Sequence, residues 1–299
     1  MKVLFCTDGS KISFNALENF SAWINKKNVS IDTICAIDWS FLPMDSNIEE
    51  EGFTNACANV ACGILKTSSK DIKDFGMTPD KNIKVCGSAV DSILEQIEKD
   101  NYDIILMGSH GRKGIQKWLG SVSQDVLSES SNNIYISKYR NKNKKILFPV
   151  DGSEQAYKGV RYFIENFDLK DKDIATCIVN EDPQMLFLDG QLDTNWQLEI
   201  EKNQQTYAAN VIKKMTHLFD ENNLTLSESV ILRGNVSQKI IDYTLKNNVD
   251  LVCMTSRNLT KFQKFLLGSV SKRVLSNTPA DVLIVKIESE ALNKTALKE

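Results

Sequence analysis

The feature that most constrains the fold of this chain is a duplication. The stretch KVLFCTDGS at 2–10 recurs as KILFPVDGS at 145–153, and each copy runs into an amphipathic segment. Three further pairs recur in the same order: KVCGSAV with ILRGNVS, YDIILMGSH with VDLVCMTSR, and NIYISK with DVLIVK. A period of about 145 residues lets each copy bury its own core, unlike a solenoid repeat. We therefore predict two domains of one type, at 1–140 and 145–288, followed by a polar tail at 289–299.

Within each copy, short and nearly continuous apolar runs alternate with helical patterns. The first copy contains VLF, TICAI, IKV, IILM and IYI, which are typical of strands buried on both faces. Behind Ser10, a predicted helix N-cap, apolar residues recur at intervals of three and four, and the second copy repeats this pattern behind Ser153. This alternation predicts an α/β fold with two doubly wound, mainly parallel five-stranded sheets, flanked by helices and connected by right-handed crossovers.

The composition excludes several classes of function. A net charge of −3 leaves no excess of Lys and Arg to match a nucleic-acid backbone, so we expect no nucleic-acid partner. The first apolar run is too short for a signal peptide and no later run reaches membrane-spanning length, so we expect a cytoplasmic protein without a membrane partner. Seven cysteines without a CxxC motif and only two histidines predict mainly reduced core thiols and no metal site. Cys57 and Cys62 fall on different faces of one predicted helix, which argues against a redox pair.

The most informative loop is GSHGRKGIQKWLGS at 108–121, between a predicted strand and a predicted helix. Its glycines would let backbone amides approach a ligand, and Gly120-Ser121 would place free N–H groups at a helix N-terminus, as in a phosphate cradle. Ser121 and Gln124 also have capping-box spacing, so a plain turn with a capped helix stays open as an alternative. Neither G-x4-G-K-[ST] nor G-x-G-x-x-G is present, which disfavours P-loop and Rossmann chemistry.

Ligands of doubly wound sheets bind beyond the carboxyl ends of the strands. This rule directs attention to Asp8, Gly87 and Gly108, and in the second copy to Asp151, Gly234 and Thr255.

Taken together, the motifs resemble the universal stress protein family in a tandem two-domain form. The resemblance rests on Asp-Gly-Ser after the first strand, on a glycine after KVC and on a glycine pair followed by Gly-Ser, and it covers 2–138 and 145–286. It implies two domains of the adenine nucleotide alpha hydrolase-like fold, related by a pseudo-twofold axis, with the last strands NIYISK and DVLIVK paired. This is a pseudo-dimer within the chain, and a homodimer of two chains would be a further level of association.

ATP-binding members of that family carry G-x2-G-x9-G-[ST] beside an aspartate that ends the first strand. The resemblance implies ATP or another adenine nucleotide as ligand, Mg²⁺ as a candidate companion, no catalytic residue, and protein partners of unknown identity. In the first copy it assigns the site to Thr7, Asp8, Ile37, Gly87, Met107, Gly108, His110, Gly111, Gly120, Ser121 and Val122. In the second copy it assigns Asp151, Val179, Gly234, Gly268, Ser269 and Val270.

Both copies depart from the family pattern, in different ways. The first keeps the glycines, but eight residues rather than nine separate Gly111 from Gly120. The second keeps the spacing, but Thr255 and Asn258 stand where the family has glycine. A shorter loop can be absorbed by a tighter turn, whereas the β-branched Thr255 would obstruct the ribose. We therefore expect the first domain to be the better nucleotide site.

Two rival functions stay open at this point. A nucleotide-free scaffold would keep degenerate pockets only for packing or for an apolar ligand. A slow ATPase would need a base or a water-orienting group near the phosphates, for which Asp8 and His110 are the candidates. The leading prediction is a non-catalytic stress-response switch, in which nucleotide occupancy alters the contacts with partners.

Overall fold

The computed structural model describes residues 1–37, 50–109, 119–138, 142, 144–182, 194–258 and 268–288. These residues form two compact units, with the boundary between Asn141 and Lys142. Within the described residues, every helix is too short or too polar to cross a bilayer.

The first unit is a parallel sheet of five strands with helices on both faces. Its strands lie in the order β3-β2-β1-β4-β5, and each pairs in parallel with its neighbour. The strand order reverses between β1 and β4, which in such sheets opens a crevice at the carboxyl ends. The elements are β1 (Lys2–Cys6), α1 (Lys11–Trp23), β2 (Ser30–Ile37), α2 (Glu50–Asp74), β3 (Thr78–Cys86), α3 (Ala89–Lys99), β4 (Ile104–Gly108), α4 (Ser121–Glu129) and β5 (Asn133–Ser137).

The second unit repeats this topology. Its strands lie in the order β10-β9-β6-β7-β8, so that β6 and β9 flank the corresponding crevice. The predicted α/β class, with five parallel strands in each copy, is confirmed. The elements are β6 (Lys145–Pro149), α5 (Glu154–Asn166), β7 (Asp173–Asn180), α6 (Thr194–Asp220), β8 (Glu228–Arg233), α7 (Val236–Lys246), β9 (Leu251–Asn258), α8 (Ser269–Asn277) and β10 (Asp281–Glu288).

The helices that follow the first strand of each unit form as their sequences predict. Ser10 and Ser153 are the N-caps of α1 and α5, and each side chain accepts the N–H three residues on. The apolar stripe of each helix is buried against its sheet, which confirms the periodicity. Phe20 of α1 meets Tyr135 edge-to-face at 5.4 Å, and Phe163 of α5 meets Phe148 at 5.2 Å. Both helices therefore anchor the loops that precede them.

A buried carboxylate holds the amino ends of the strands in the first unit. Asp32, the third residue of β2, has a fully buried side chain. Its Oδ2 lies 3.3 Å from Lys2 Nζ and accepts the Tyr102 hydroxyl at 2.8 Å, while its Oδ1 accepts the Lys81 N–H at 2.9 Å. Burial and the hydrogen bond to Asp32 raise the pKa of Tyr102. The tyrosine is therefore a permanent donor at neutral pH.

The second unit builds the same set of groups from other positions. Ala175 occupies the strand position of Asp32, and the carboxylate comes instead from Glu228 of β8. Glu228 Oε2 lies 3.3 Å from Lys145 Nζ and accepts the Tyr243 hydroxyl at 2.6 Å. A lysine, a carboxylate and a tyrosine thus recur in both units, although only the lysine keeps its place.

Removing the Asp32 carboxylate should destabilise the first unit strongly. In Asp32→Ala, the Tyr102 hydroxyl and the Lys81 N–H lose their acceptor, while the Lys2 ammonium keeps the Asp100 carboxylate at 3.3 Å. A buried donor left without an acceptor costs about 1–3 kcal/mol, and urea unfolding of the variant measures the loss.

The control is Glu95→Ala, which removes the carboxylate of a solvent-exposed ion pair with Lys99 at 2.7 Å. Such i,i+4 pairs contribute about 0.3–0.5 kcal/mol. Equal losses of stability in Asp32→Ala and Glu95→Ala would contradict the structural role of the buried carboxylate.

Candidate functional site

A cavity opens at the carboxyl ends of β1 and β4 in the first unit. It encloses about 540 Å³ of space, which includes the solvent in its open mouth. Its position is the crevice where the strand order reverses, as expected for this class of sheet. It is lined by Cys6, Thr7, Asp8, Ser13, Ile34, Ala36, Ala89, Ile93, Met107, Gly108, Val122 and Ser123.

Hydroxyl groups build one wall of this cavity at the β1–α1 turn. Ser13 Oγ donates to the Ser10 carbonyl at 2.8 Å and lies 2.7 Å from Thr7 Oγ1. The Thr7 hydroxyl therefore donates to Ser13, and it accepts the Gly9 N–H at 3.0 Å. Both hydroxyl groups are held in fixed orientations, so the wall is polar and preorganised.

Asp8 and Asp151, which follow the first strand of each unit, accept a hydrogen bond within the turn and also line the cavities. Asp8 Oδ1 accepts the Ser10 N–H at 2.9 Å, and Asp151 Oδ1 accepts the Ser153 N–H at the same distance. This is the Asx turn expected for an aspartate before Gly-Ser. Asp8 lines the first cavity and Asp151 the second.

The helix α4 begins at the cavity with a glycine cap. Gly120 is the N-cap, no side chain accepts a hydrogen bond there, and the first bond within the helix runs from Gln124 N to the Gly120 carbonyl at 2.9 Å. Ser121 is thus the first helical residue, and the predicted cap at Ser121 is wrong. Ser123 Oγ donates to the Gly108 carbonyl at 2.8 Å, which fixes the first turn of α4 on the end of β4.

The glycine cap of α4 differs from the side-chain caps of most other helices in the chain. Among the helices whose N-termini are described, α1, α3, α5 and α7 are capped by the side chains of Ser10, Ser88, Ser153 and Asn235. Of the helices that begin at the cavities, α3 and α7 are among those capped by side chains, whereas α4 and its counterpart α8 have glycine caps and no such bond. A helix N-terminus carries donors without an intrahelical acceptor and the positive end of the dipole. Both therefore present an anion-binding terminus to a cavity.

Gly87 and Gly234, two expected site residues, lie at the turns before α3 and α7 and are not among the residues that line the cavities. Their φ angles are +140° and +125°, a conformation that side-chain-bearing residues rarely adopt. Each N–H donates to the end of the neighbouring strand, Gly87 to the Ile37 carbonyl at 3.0 Å and Gly234 to the Asn180 carbonyl at 2.9 Å. These bonds place the following helices, α3 and α7, against the cavities.

The strand register corrects one equivalence between the two units. Ile37 and Asn180 occupy the same position, so Ile37 and Val179, which the resemblance assigns to the two sites, are one residue out of register with each other. Val179 corresponds to Ala36, and these two side chains line the second and the first cavity. Ile37 lies one residue beyond Ala36, with its carbonyl bonded to Gly87.

The second unit has a cavity of about 670 Å³ at the matching place. The hydroxyl wall is lost there, because Val150 and Ala156 stand at the positions of Thr7 and Ser13. The cavity is lined by Pro149, Val150, Asp151, Ala156, Cys177, Val179, Val236, Ile240, Met254, Thr255, Val270 and Ser271.

Thr255 is accommodated in a way that the sequence argument did not foresee. Its Cγ2 packs against α5 at Gly159, where an added Cβ would overlap it. In the first unit, Ala16 stands at the helix position of Gly159 and Gly108 stands at the strand position of Thr255. The larger residue is therefore on the helix there and on the strand in the second unit. The Cγ2 methyl group thus occupies the space left by Gly159, while Thr255 still lines the second cavity, and the expected obstruction of a ribose stays a prediction.

Other expected site residues fall into three groups. Gly120, Ser121, Gly268 and Ser269 lie at the helix starts, while Met107, Val122 and Val270 line the cavities. His110 and Gly111 lie outside the described residues, as does the loop whose length differs from the family pattern. In the first cavity, sequence reasoning missed seven lining residues: Cys6, Ser13, Ile34, Ala36, Ala89, Ile93 and Ser123.

One signal for the missed residues was present in the chain. The tetrapeptide Gly-Ser-Val-Ser occurs at 120–123 and again at 268–271. Its last serine, Ser123 or Ser271, lines the cavity in each unit. The identity of all four residues pointed to a fixed helix start.

Each cavity is lined by one buried cysteine, Cys6 in the first unit and Cys177 in the second. Burial raises the pKa of the Cys6 thiol far above its usual range and that of Cys177 to about 12. Both thiols are therefore protonated at neutral pH and weakly nucleophilic. Across the described residues, no three His, Cys, Asp or Glu side chains cluster as metal ligands would.

The exchange at Gly159 can be tested by a double-mutant cycle. Gly159→Ala alone should destabilise the second unit by about 1–2 kcal/mol, because overlap with Thr255 outweighs the better helix propensity of alanine. In a Thr255→Ser background, which lacks Cγ2, the same change should instead stabilise. Chemical unfolding of the four chains measures the cycle.

Gly63→Ala is the matched control, since Gly63 lies in α2 with open space around its would-be Cβ. That change should stabilise the first unit by up to about 1 kcal/mol. If Gly159→Ala behaves like Gly63→Ala, the packing of Thr255 against α5 is refuted.

Comparison with known proteins gives the chain its relatives. The model of the universal stress protein family matches it twice, at residues 1–138 and 142–286. A universal stress protein of Methanocaldococcus jannaschii is 29% identical over 157 residues, covering 52% of this chain and 88% of that protein. A second from the same organism is 27% identical over 156 residues, covering 47% and 96%.

A solved structure extends the likeness to almost the whole chain. A universal stress protein from Archaeoglobus fulgidus superposes with a TM-score of 0.66 at 22% identity, covering 95% of this chain and 98% of that one. At 22% identity, this superposition shows that the two proteins share a fold. With both copies matched by the family model, this chain belongs to the universal stress protein family, as a tandem of two such domains.

Proposed function

We propose that the first unit binds ATP or another adenine nucleotide and that the chain acts as a non-catalytic switch in a stress response. The observation that carries this proposal is the convergence of a side-chain-uncapped helix start, α4, and an aspartate, Asp8, on one cavity at the strand-order reversal. Phosphates favour helix N-termini, and this class of sheet binds nucleotides at that crevice.

The lining of the first cavity suits the parts of such a ligand. The backbone N–H groups of Ser121 and Val122 would hold phosphate oxygens. The apolar side chains of Ile34, Ala36 and Ile93 offer surface to an adenine ring. Asp8 would contact the ribose directly, or would hold Mg²⁺, which prefers oxygen ligands and phosphate company.

The hydroxyl wall favours the first unit over the second. A ribose and its phosphates carry many polar atoms, and burial of polar atoms costs free energy unless they are hydrogen-bonded. The hydroxyl oxygens of Thr7 and Ser13 can still accept hydrogen bonds from ribose hydroxyl groups, whereas Val150 and Ala156 offer no acceptor. The second cavity would bind the same nucleotide more weakly or serve for packing.

A switch requires that nucleotide and partner prefer the same or opposite states of the protein. We place the two universal stress domains at 1–140 and 145–288, followed by a polar tail at 289–299. The surface of these domains would contact a protein partner or a second chain.

A slow ATPase is the rival function. Nucleotide turnover above background that Asp8→Ala abolishes would replace the switch by an enzyme.

Purified protein should carry or acquire an adenine nucleotide. Ultraviolet absorbance and chromatography of the denatured chain would reveal a bound base. Added ATP and Mg²⁺ at about 100 times Kd should stabilise the fold by about 2.7 kcal/mol, seen as a rise in Tm of several degrees. Absence of nucleotide together with an unchanged Tm would favour the nucleotide-free scaffold and end the proposal.

A matched pair of variants should locate the site. Ala36→Trp fills the first cavity and Val179→Trp fills the second, from the same strand position of the two units. Titration calorimetry should show at least a tenfold loss of ATP affinity in Ala36→Trp, about 1.4 kcal/mol, and less than a twofold change in Val179→Trp. The reverse ranking would move the site to the second unit.

A further inference from the structure

A groove between α5 and α6 forms a further concave surface on the second unit. It encloses about 800 Å³ of space, which includes the solvent in its open mouth. Each helix contributes residues at intervals of three and four, which lie on one helix face. The groove is lined by Glu154, Tyr157, Lys158, Arg161, Lys214, His217, Leu218 and Glu221.

Basic side chains outnumber acidic ones in this lining. Lys158 and Arg161 belong to α5, while Lys214 and His217 belong to α6. Among the described residues, neither the Arg161 guanidinium nor the Lys214 ammonium forms an ion pair with a carboxylate. Two positive charges of the groove therefore have no protein carboxylate to neutralise them within the described part of the chain.

The two carboxylates of the lining are stabilised in other ways. Glu221 Oε1 lies 3.1 Å from Nε2 of His217. Glu154 lies in the first turn of α5, where the positive end of the helix dipole favours a negative charge. Arg161 and Lys214 are thus left available to an anion from solution.

Tyr157 adds a hydrogen-bond donor to this basic surface. Lys214 Nζ lies 5.8 Å from the centre of its ring. The hydroxyl oxygen is buried and, within the described residues, has no hydrogen-bond partner. Burial raises the pKa of Tyr157, so the hydroxyl keeps its proton at neutral pH. A buried donor without an acceptor costs free energy, and a ligand oxygen that reached this hydroxyl would supply the acceptor.

The first unit has a different set of side chains at the same helix positions. The N-caps align α1 with α5, and equivalent backbone bonds, from Met77 to Ile72 and from Leu224 to Phe219, align α2 with α6. One acidic and no basic side chain then stand where the second unit has three basic ones and a phenol. The exchanged residues are Phe14, Asn15, Glu18 and Thr67 against Tyr157, Lys158, Arg161 and Lys214.

We propose that the groove between α5 and α6 binds the phosphate group of a small molecule. The planar fork of Arg161 would donate to two phosphate oxygens, Lys214 would add a second positive charge, and Tyr157 would donate to a third oxygen. A phosphate group carries about 1.5–2 negative charges at neutral pH and three acceptor oxygens, which matches two cations and a hydroxyl. A carboxylate, with one charge and two oxygens, fits this set of donors less well.

This site is separate from the proposed nucleotide site. None of the described residues that line the groove lines the first or the second cavity. Phosphate binding in the groove therefore does not depend on nucleotide binding in the first unit, and each can be measured in the absence of the other.

The test is titration of the isotope-labelled full-length chain with inorganic phosphate at constant ionic strength, followed through the amide chemical shifts. Signals from the groove-facing residues of α5 and α6 should shift and saturate. In Arg161→Gln and in Lys214→Gln, the Kd for phosphate should rise about tenfold, because a hydrogen bond to a charged group is lost. Glycerol 3-phosphate, titrated in the same way, distinguishes the source: a lower Kd than that of phosphate indicates an ester, and an equal Kd the free ion.

Lys213→Gln is the matched control. It removes the same charge from the neighbouring residue of α6, which is exposed and does not line the groove. Its Kd for phosphate should stay within about twofold of that of the original chain, because salt screens an exposed charge that does not touch the ligand. Tyr157→Phe should weaken phosphate binding without lowering Tm, since the hydroxyl it removes has no hydrogen-bond partner among the described residues.

Two results would overturn the proposal. Equal weakening in Lys214→Gln and Lys213→Gln would mean that phosphate is attracted by net charge alone. Saturable shifts confined to the first unit, where α4 begins at the first cavity, would place the phosphate in the proposed nucleotide site instead. The shifts of the unmutated chain decide this second point even where a variant fails to fold.

Discussion

The position of β1 in its sheet is the constraint on which the rest of the structure depends. β1 is hydrogen-bonded to β2 on one side and to β4 on the other. The chain moves outward from β1 through β2 and β3, and then crosses back to β4 and β5. Since the connections after β1 and β4 leave in opposite directions, neither covers the carboxyl ends of these strands. The cavity, the Asx turn of Asp8 and the start of α4 all meet there because of this reversal.

The two units show how freely side chains can change while this frame persists. At two places the second unit keeps an arrangement but changes the residues that make it. The position of the larger residue moves from the helix to the strand near the cavity, and the lysine-bound carboxylate moves to a neighbouring strand. The residues concerned are Ala16 with Gly108 against Gly159 with Thr255, and Asp32 against Glu228.

Much of the fold could be predicted from the sequence, because periodicity reports which face of an element is buried. The duplication, the parallel strands and the caps at Ser10 and Ser153 follow from local pattern alone. The contacts that could not be predicted are those between layers. The packing of Thr255 was missed because the helix residue it meets, Gly159, is 96 positions away in the chain. Local pattern also left a cap at Ser121 open, because a glycine cap has no side-chain signature.

The central claim is that the strand-order reversal of the first unit is an adenine-nucleotide site. Photo-crosslinking of the folded chain with an azido-adenine nucleotide, followed by peptide mapping, tests it most directly. The account predicts label in peptides from the first unit, around the ends of β1, β2 and β4 or the start of α4, and its loss when unlabelled ATP competes. Label confined to the second unit, or label that ATP does not displace, would contradict it.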